Sequence, residues 1–175
     1  LIDLEASGLG ADSYPIELGW ALPDTGAVGA VLIAPPDAWT SRDWDPAAER
    51  LHGVSRIDLH RDGVSPATAI ARFLTAVRGR HLLYCDGLAT DRIWLERLFE
   101  AAGRQDYRIT MRGHGAGPGV RLRDVEELYA ALAPDRVIAR ERARRDADLG
   151  PSAHRAGPDA ARLMALLHRI QRARR

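Results

Sequence analysis

Lysine is missing from all 175 residues, so each of the 25 basic side chains is an arginine. A guanidinium is planar and forked, and it suits bidentate contact with phosphate better than an ammonium does. Cysteine is nearly missing too: Cys85 stands alone. That excludes an intrachain disulfide and any cysteine-based zinc site, and it makes a reducing, cytoplasmic setting the expectation. No apolar run approaches the ~20 residues of a membrane-spanning helix, so no membrane partner is expected. No internal repeat and no linker divides the sequence, and its length suits one domain, residues 1–175, with a real core. The chain opens at Leu1 without methionine, already inside an apolar run, so the loss of residues upstream is expected.

The rest of the composition, 46% hydrophobic and 28% charged, is that of a soluble globular protein. Net charge is only +1 but is unevenly spread: residues 1–100 hold 15 acids and 9 arginines, residues 136–175 hold 11 arginines and 4 acids. A basic end beside an acidic half fits an enzyme acting on a phosphate polymer. Composition bias with a solvated helix face explains it equally well.

Period and punctuation predict the elements. Leu1, Ile2 and Leu4 mark a first strand, ended by Ser7-Gly8-Leu9-Gly10; Pro15 to Leu22 alternates as a second, and Ala27 to Ala34 returns after the Pro23–Gly26 turn. Asp45-Pro46 opens a short helix and Ser65-Pro66 a stronger one with Ala69, Ile70, Phe73, Leu74 and Val77 on one face. His81 to Cys85 reads as a buried strand, with Thr90 or Asp91 capping the next helix, and Tyr107 to Met111 as a final strand. The run from Gly113 to Gly119 lacks Gly-Lys-Ser/Thr and reads as a mobile connection rather than a phosphate cradle. Helices over Asp124–Leu132, Arg136–Arg145 and from Gly157-Pro158 onward complete the chain. The order predicts an α/β fold of three layers, a mixed five-stranded sheet flanked by helices.

Chemistry enters with Asp3-Leu4-Glu5. On a strand both carboxylates face the same way, about 7 Å apart. Like charges on a core strand are costly unless something positive sits between them, and a divalent cation is the simplest answer. Asp91 and Asp159 each stand at a predicted helix start, where a cap or dipole partner is the plain alternative, and His154 lies in the turn before Asp159.

Three ordered motifs carry a resemblance: Asp3-Leu4-Glu5-Ala6-Ser7-Gly8-Leu9, Asp91 ahead of Ile93-Trp94-Leu95, and His154-Arg155-Ala156-Gly157-Pro158-Asp159. His52-Gly53-Val54 adds a fourth element between the first two. The chain resembles the DEDDh group of 3′-to-5′ exonucleases, the proofreading-type, DnaQ-like branch of the ribonuclease H-like fold. The resemblance implies a hydrolase that releases 5′-nucleoside monophosphates from the free 3′ end of single-stranded RNA or DNA. It implies two ions, Mg²⁺ or Mn²⁺, held by Asp3, Glu5, Asp91 and Asp159, with His154 as general base. Four carboxylates without a thiolate suit such hard ions, and a histidine's ordinary pKa of ~6.5 lets it act as a base near pH 7. By the same resemblance Ser7, Gly8, Leu9 and His52 meet the terminal nucleotide, while Arg155 and the arginines of 136–145 meet phosphates further along. Trp39 and Trp44 are the candidates for base stacking.

One departure concerns the second motif, where the family often carries Asn four residues before its aspartate and commonly His-Asn. Here those positions are Asp86 and Gly87, which makes Asp86 a rival to Asp91. The alternative function is a nucleic-acid-binding or protein-interaction module on an exonuclease-like scaffold, with weak or no catalysis. A homodimer is compatible with either.

Overall fold

The computed structural model describes residues 1–40, 43–111 and 118–174. Most of the Gly113–Gly119 connection lies outside the described residues. In chain order, three strands come first: Ile2–Ala6 (β1), Pro15–Leu22 (β2) and Ala27–Leu32 (β3). Four helices follow, Asp37–Thr40 (α1), Pro46–His52 (α2), Arg56–Asp62 (α3) and Pro66–Ala76 (α4). Then come Leu82–Cys85 (β4), Leu88–Ala101 (α5), Arg108–Thr110 (β5), Gly119–Asp124 (β6), Val125–Leu132 (α6), Asp135–Leu149 (α7) and Ala156–Ala173 (α8).

The fold is mixed α/β, but the single five-stranded sheet expected from the sequence is not what forms. Among the described residues there are six strands in two three-stranded sheets, an antiparallel β1-β2-β3 and a parallel β4-β6-β5. The unexpected strand is β6, which slots between β4 and β5 with Leu122 opposite Leu83 and Val120 opposite Ile109. Its buried Val120 and Leu122 alternate with half-buried Arg121 and Arg123, a period-2 signal masked by two arginines and the glycines before it. Merging the sheets would need a ladder between β1 and β4. Those strands touch without one, beside the point where Asp3, Asp86 and Asp91 crowd together.

Alternation sorts the first sheet into two faces. Ile2, Leu4, Ile16 and Leu18 join Phe73, Leu95 and Leu98 in one buried cluster, whereas Leu1 and Ala21 join Tyr129, Leu163, Leu166 and Ile170 in the other. Asp3 and Glu5 therefore lie on the face that receives α8. Two glycines bring that helix down onto the strands. A β-carbon at Gly19 would fall 2.1 Å from the Ala156 carbonyl, and one at Gly157 would fall 2.9 Å from Ala30 Cβ.

Local chemistry fixes the helix starts that matter to the cleft. Asp45 caps α2, and Ser65 caps α4. Ser55 and Asp58 form a capping box that starts α3, a helix the apolar pattern does not reveal. The helix expected to be capped by Thr90 or Asp91 begins earlier, at Leu88, with Gly87 at its N-cap and no side-chain cap. Asp91 thus lies in the first turn of α5 rather than at its N-cap. Among the described residues no helix is long and apolar enough to cross a membrane.

Candidate metal centre

Three segments carry the acidic side chains to one cleft. β1 pairs antiparallel with β2, Asp3 opposite Gly19 and Glu5 opposite Glu17, which turns both β1 carboxylates toward α8. The end of β4 and the first turn of α5 bring in Asp86 and Asp91. The third segment is the loop between α7 and α8. Gly150, at φ 71°, ends α7, and His154 adopts φ 49°, an uncommon left-handed conformation for a residue with a side chain.

Asp159 organises that loop. Its carboxylate accepts from Ser152 Oγ (2.7 Å), Arg155 N (3.2 Å) and Ala153 N (3.3 Å), and Ser152 Oγ in turn accepts from His154 N at 3.1 Å. Arg162 of α8 binds the Gly150 carbonyl at 2.7 Å and Asp146 at 2.8 Å, tying the two helices together across the loop.

The result is two neighbouring groups of ligand atoms, Glu5–His154–Asp159 and Asp3–Asp86–Asp91, each with its atoms within 4.8 Å of one another. Both line one cleft of about 760 Å³. Six carboxylates share it with only two arginines, Arg145 and Arg162; both pair with Asp146, and Arg162 also reaches Asp159 at 3.9 Å. Burial, then the carboxylates of Asp91 and Glu5, push Asp3 up to about 9. Burial pushes Asp91 up to about 8, and burial with the Asp159 carboxylate pushes Glu5 up to about 7. Oδ2 of Asp3 and Oδ2 of Asp91 are buried with no hydrogen-bond partner. Orphaned buried oxygens among crowded carboxylates and one imidazole, with no thiolate ligand, fit a hard divalent cation.

The residues expected around a nucleotide are placed less uniformly. Leu9 is 82% exposed on the turn after β1, a turn held by Arg97 of α5 through the carbonyls of Ala11 and Ser13. Ser7 is buried, and its Oγ accepts from Tyr14 N at 3.0 Å. The close approach at Gly8 is made by Asp45, whose Cβ lies 3.0 Å from where a β-carbon would be. His52 is buried: Nδ1 accepts from Val54 N at 3.1 Å, and Nε2 has no partner. Arg155 is engaged with Glu17, through Nε at 2.9 Å and Nη2 at 2.7 Å. Trp39 belongs to the core, stacked on Tyr14 with centroids 5.4 Å apart, which removes it as a stacking platform for bases. Trp44 is half-buried between Arg56 and the edge of His52. Of the 136–145 arginines, Arg140 and Arg144 pair with Glu141, Arg142 with Glu126 and Arg145 with Asp146.

With this geometry in view, solved structures provide a comparison. A zinc-bound complex of E. coli exonuclease I with single-stranded DNA superposes with a TM-score of 0.66 at 16% identity, covering 99% of this chain and 40% of that one. A complex of E. coli exonuclease I with a dA16 oligonucleotide gives 0.62 at 15% identity, covering 98% and 41%. The fold is similar to that of exonuclease I. The chain spans about 40% of the length of those structures. No protein-family model matches the chain, and no curated protein matches it by sequence.

One residue of the site escapes a sequence reading altogether. Glu17 is 3% exposed on β2, directly opposite Glu5, and it accepts from the Arg155 guanidinium and from Ala156 N at 2.9 Å. It anchors both the residue after His154 and the first residue of α8. The only available signal is an acid inside an alternating apolar strand, Pro15-Ile16-Glu17-Leu18. Glu17→Leu leaves a guanidinium and an amide without their acceptor. The expected cost is about 2–3 kcal/mol in urea unfolding, below the ~3–5 kcal/mol of a fully buried pair because the Arg155 side chain is 38% exposed.

Proposed function

We propose that the chain is a metal-dependent 3′-to-5′ exonuclease of the DEDDh type, on a three-layer ribonuclease H-like fold, which hydrolyses single-stranded RNA or DNA to 5′-nucleoside monophosphates. One observation carries the reading. Asp3, Glu5, Asp91, His154 and Asp159, drawn from three distant segments, line a single cleft. The fold similarity to exonuclease I, whose solved complexes hold single-stranded DNA, supports it.

Glu5 and Asp159 would hold one Mg²⁺ or Mn²⁺, and Asp3 and Asp91 a second. Such a pair of ions supplies charge stabilisation to both oxygens of an in-line displacement at phosphorus. The protein's own part is to position and to move a proton. His154, fixed by its loop beside Glu5 and Asp159, accepts the proton of the attacking water. The new O–P bond forms as the P–O3′ bond breaks, and the departing 3′ oxygen takes up a proton. A strand one nucleotide shorter and a nucleoside 5′-monophosphate result. Leu9, exposed, is suited to wedge against the last base. Arg155, bound to Glu17, serves to hold the His154 loop in place of phosphate.

The test is single-stranded RNA and DNA, labelled at either end, with Mn²⁺ or with chelator. Mn²⁺-dependent release of mononucleotide from the 3′-labelled strand, with a descending ladder from the 5′-labelled one, is expected. Retention of the strand without any shortening would favour a binding module instead.

A further inference from the structure

We infer that Asp86 joins Asp3 and Asp91 as the third carboxylate of a cation subsite that fills before nucleic acid arrives. The inference deepens the nuclease reading and rests on it only for what the ion is used for. The first support is geometric. Carboxylate oxygens of the three residues lie within 4.8 Å of one another. Oxygens around an octahedral Mg²⁺, at about 2.0–2.1 Å from the ion, stand about 2.9 Å apart when adjacent and about 4.1 Å apart when opposite. One ion can therefore touch all three after small side-chain rotations.

The second support is independent of clustering. Asp91, a member of this group, is only 3% exposed, and its Oδ2 has no hydrogen-bond partner; Oδ2 of Asp3 is likewise buried and unpartnered. A buried acceptor left without a donor costs about 1–3 kcal/mol, and more when charged, so these oxygens point to a ligand that the protein does not itself supply.

Asp86 differs from its two neighbours in being exposed, at the turn between β4 and the Gly87 cap of α5. It stands at the rim, where water and ions arrive first. Arg145, the arginine whose charge reaches Asp86, is paired with Asp146. Two carboxylates merely balance a dication and leave most of its shell to water and substrate phosphate, so a subsite of that kind fills well only with substrate present. A third carboxylate gives the shell a net negative charge and raises affinity for the free ion. The same charge repels phosphate from the empty subsite. Ion first and strand second becomes the favoured order.

The experiment is a Mn²⁺ titration of the nucleic-acid-free protein, with free ion counted by electron paramagnetic resonance. The wild type is expected to take up two ions. Asp86→Asn should weaken one of them by roughly tenfold or more and leave the other unchanged, while Asp86→Glu, which keeps a carboxylate, recovers part of the loss. Melting curves at pH 5 check that the variants fold. Identical titrations for wild type and Asp86→Asn would overturn the assignment. A protein that binds two ions through Asp86 yet shortens no strand would sink the nuclease reading and leave this one standing.

Discussion

Replacing Asp3 by asparagine is expected to remove metal-dependent strand shortening while making the metal-free protein more stable. Both effects come from one carboxylate. The activity loss should be on the order of 10³-fold, the size seen when a group that stabilises developing charge is deleted. The stability gain follows from proton linkage. An unfolded aspartate ionises near ~3.9, whereas Asp3 in the fold is raised to about 9. Between those values the folded protein keeps a proton that the unfolded chain has released, so stability falls as pH rises. Asparagine has no proton to keep. The variant's advantage should open above pH ~4 and reach roughly 5–10 °C in Tm at pH 8, about half of what linkage of ~5 kcal/mol gives at ~2–4 °C per kcal/mol, because the buried asparagine amide carries a desolvation cost of its own. Calorimetry at pH 4.5 and pH 8 reads it directly. Equal melting temperatures at pH 8 would mean that Asp3 is not crowded among buried carboxylates.

The second large effect concerns the whole centre. The metal-free wild type is expected to melt well below its pH 5 value at pH 8.5, and Mn²⁺ should restore most of the difference. Glu5, Asp91 and Asp3 are raised to about 7, 8 and 9, so each contributes stability that is complete below pH ~4 and fades as pH climbs through its folded value. His52 acts in the opposite direction. Burial lowers its pKa, so the fold gains stability as pH rises through the ordinary histidine range, and burial of the Leu1 amino group, lowered to about 6, adds to it; four raised carboxylates, Asp86 among them, oppose these two. A dication that binds the ionised cluster and not the unfolded chain adds about 2.7 kcal/mol at 100 times its dissociation constant. Differential scanning across pH 5–8.5, with Mn²⁺ and with chelator, checks the sign and the rescue. A melting temperature that climbs with pH, or ignores Mn²⁺ at alkaline pH, would contradict an acid-crowded centre.

Much of the cleft was readable from local pattern because local pattern is what fixes it. Period-2 alternation puts Asp3 and Glu5 on one face of β1, and the Gly-Pro break marks where α8 begins. Pairing between distant strands is not written in any short window. Hence β6, with arginines at every second position, carries no strand signal of its own, and the division into two sheets could not be anticipated. Asp91 looked like a cap because nothing nearby advertises Gly87 as the true start of α5. Asp86 and Asp91 looked like rivals because sequence spacing ranks candidates singly. Only the turn between β4 and α5 shows that both reach Asp3. Glu17 is the deepest omission, since its meaning depends on an arginine 138 residues away.

At the seam between β2 and α8, main chain rests on main chain at Gly19, while Gly157 lets the helix settle against Ala30 of β3. The height of α8 above β2 is therefore set by backbone contact, insulated from the rotamer hopping of the leucines above and below. Redesigning those apolar layers would alter robustness to heat without altering the gauge. To shift α8 across the strands, an engineer would have to shim the seam itself.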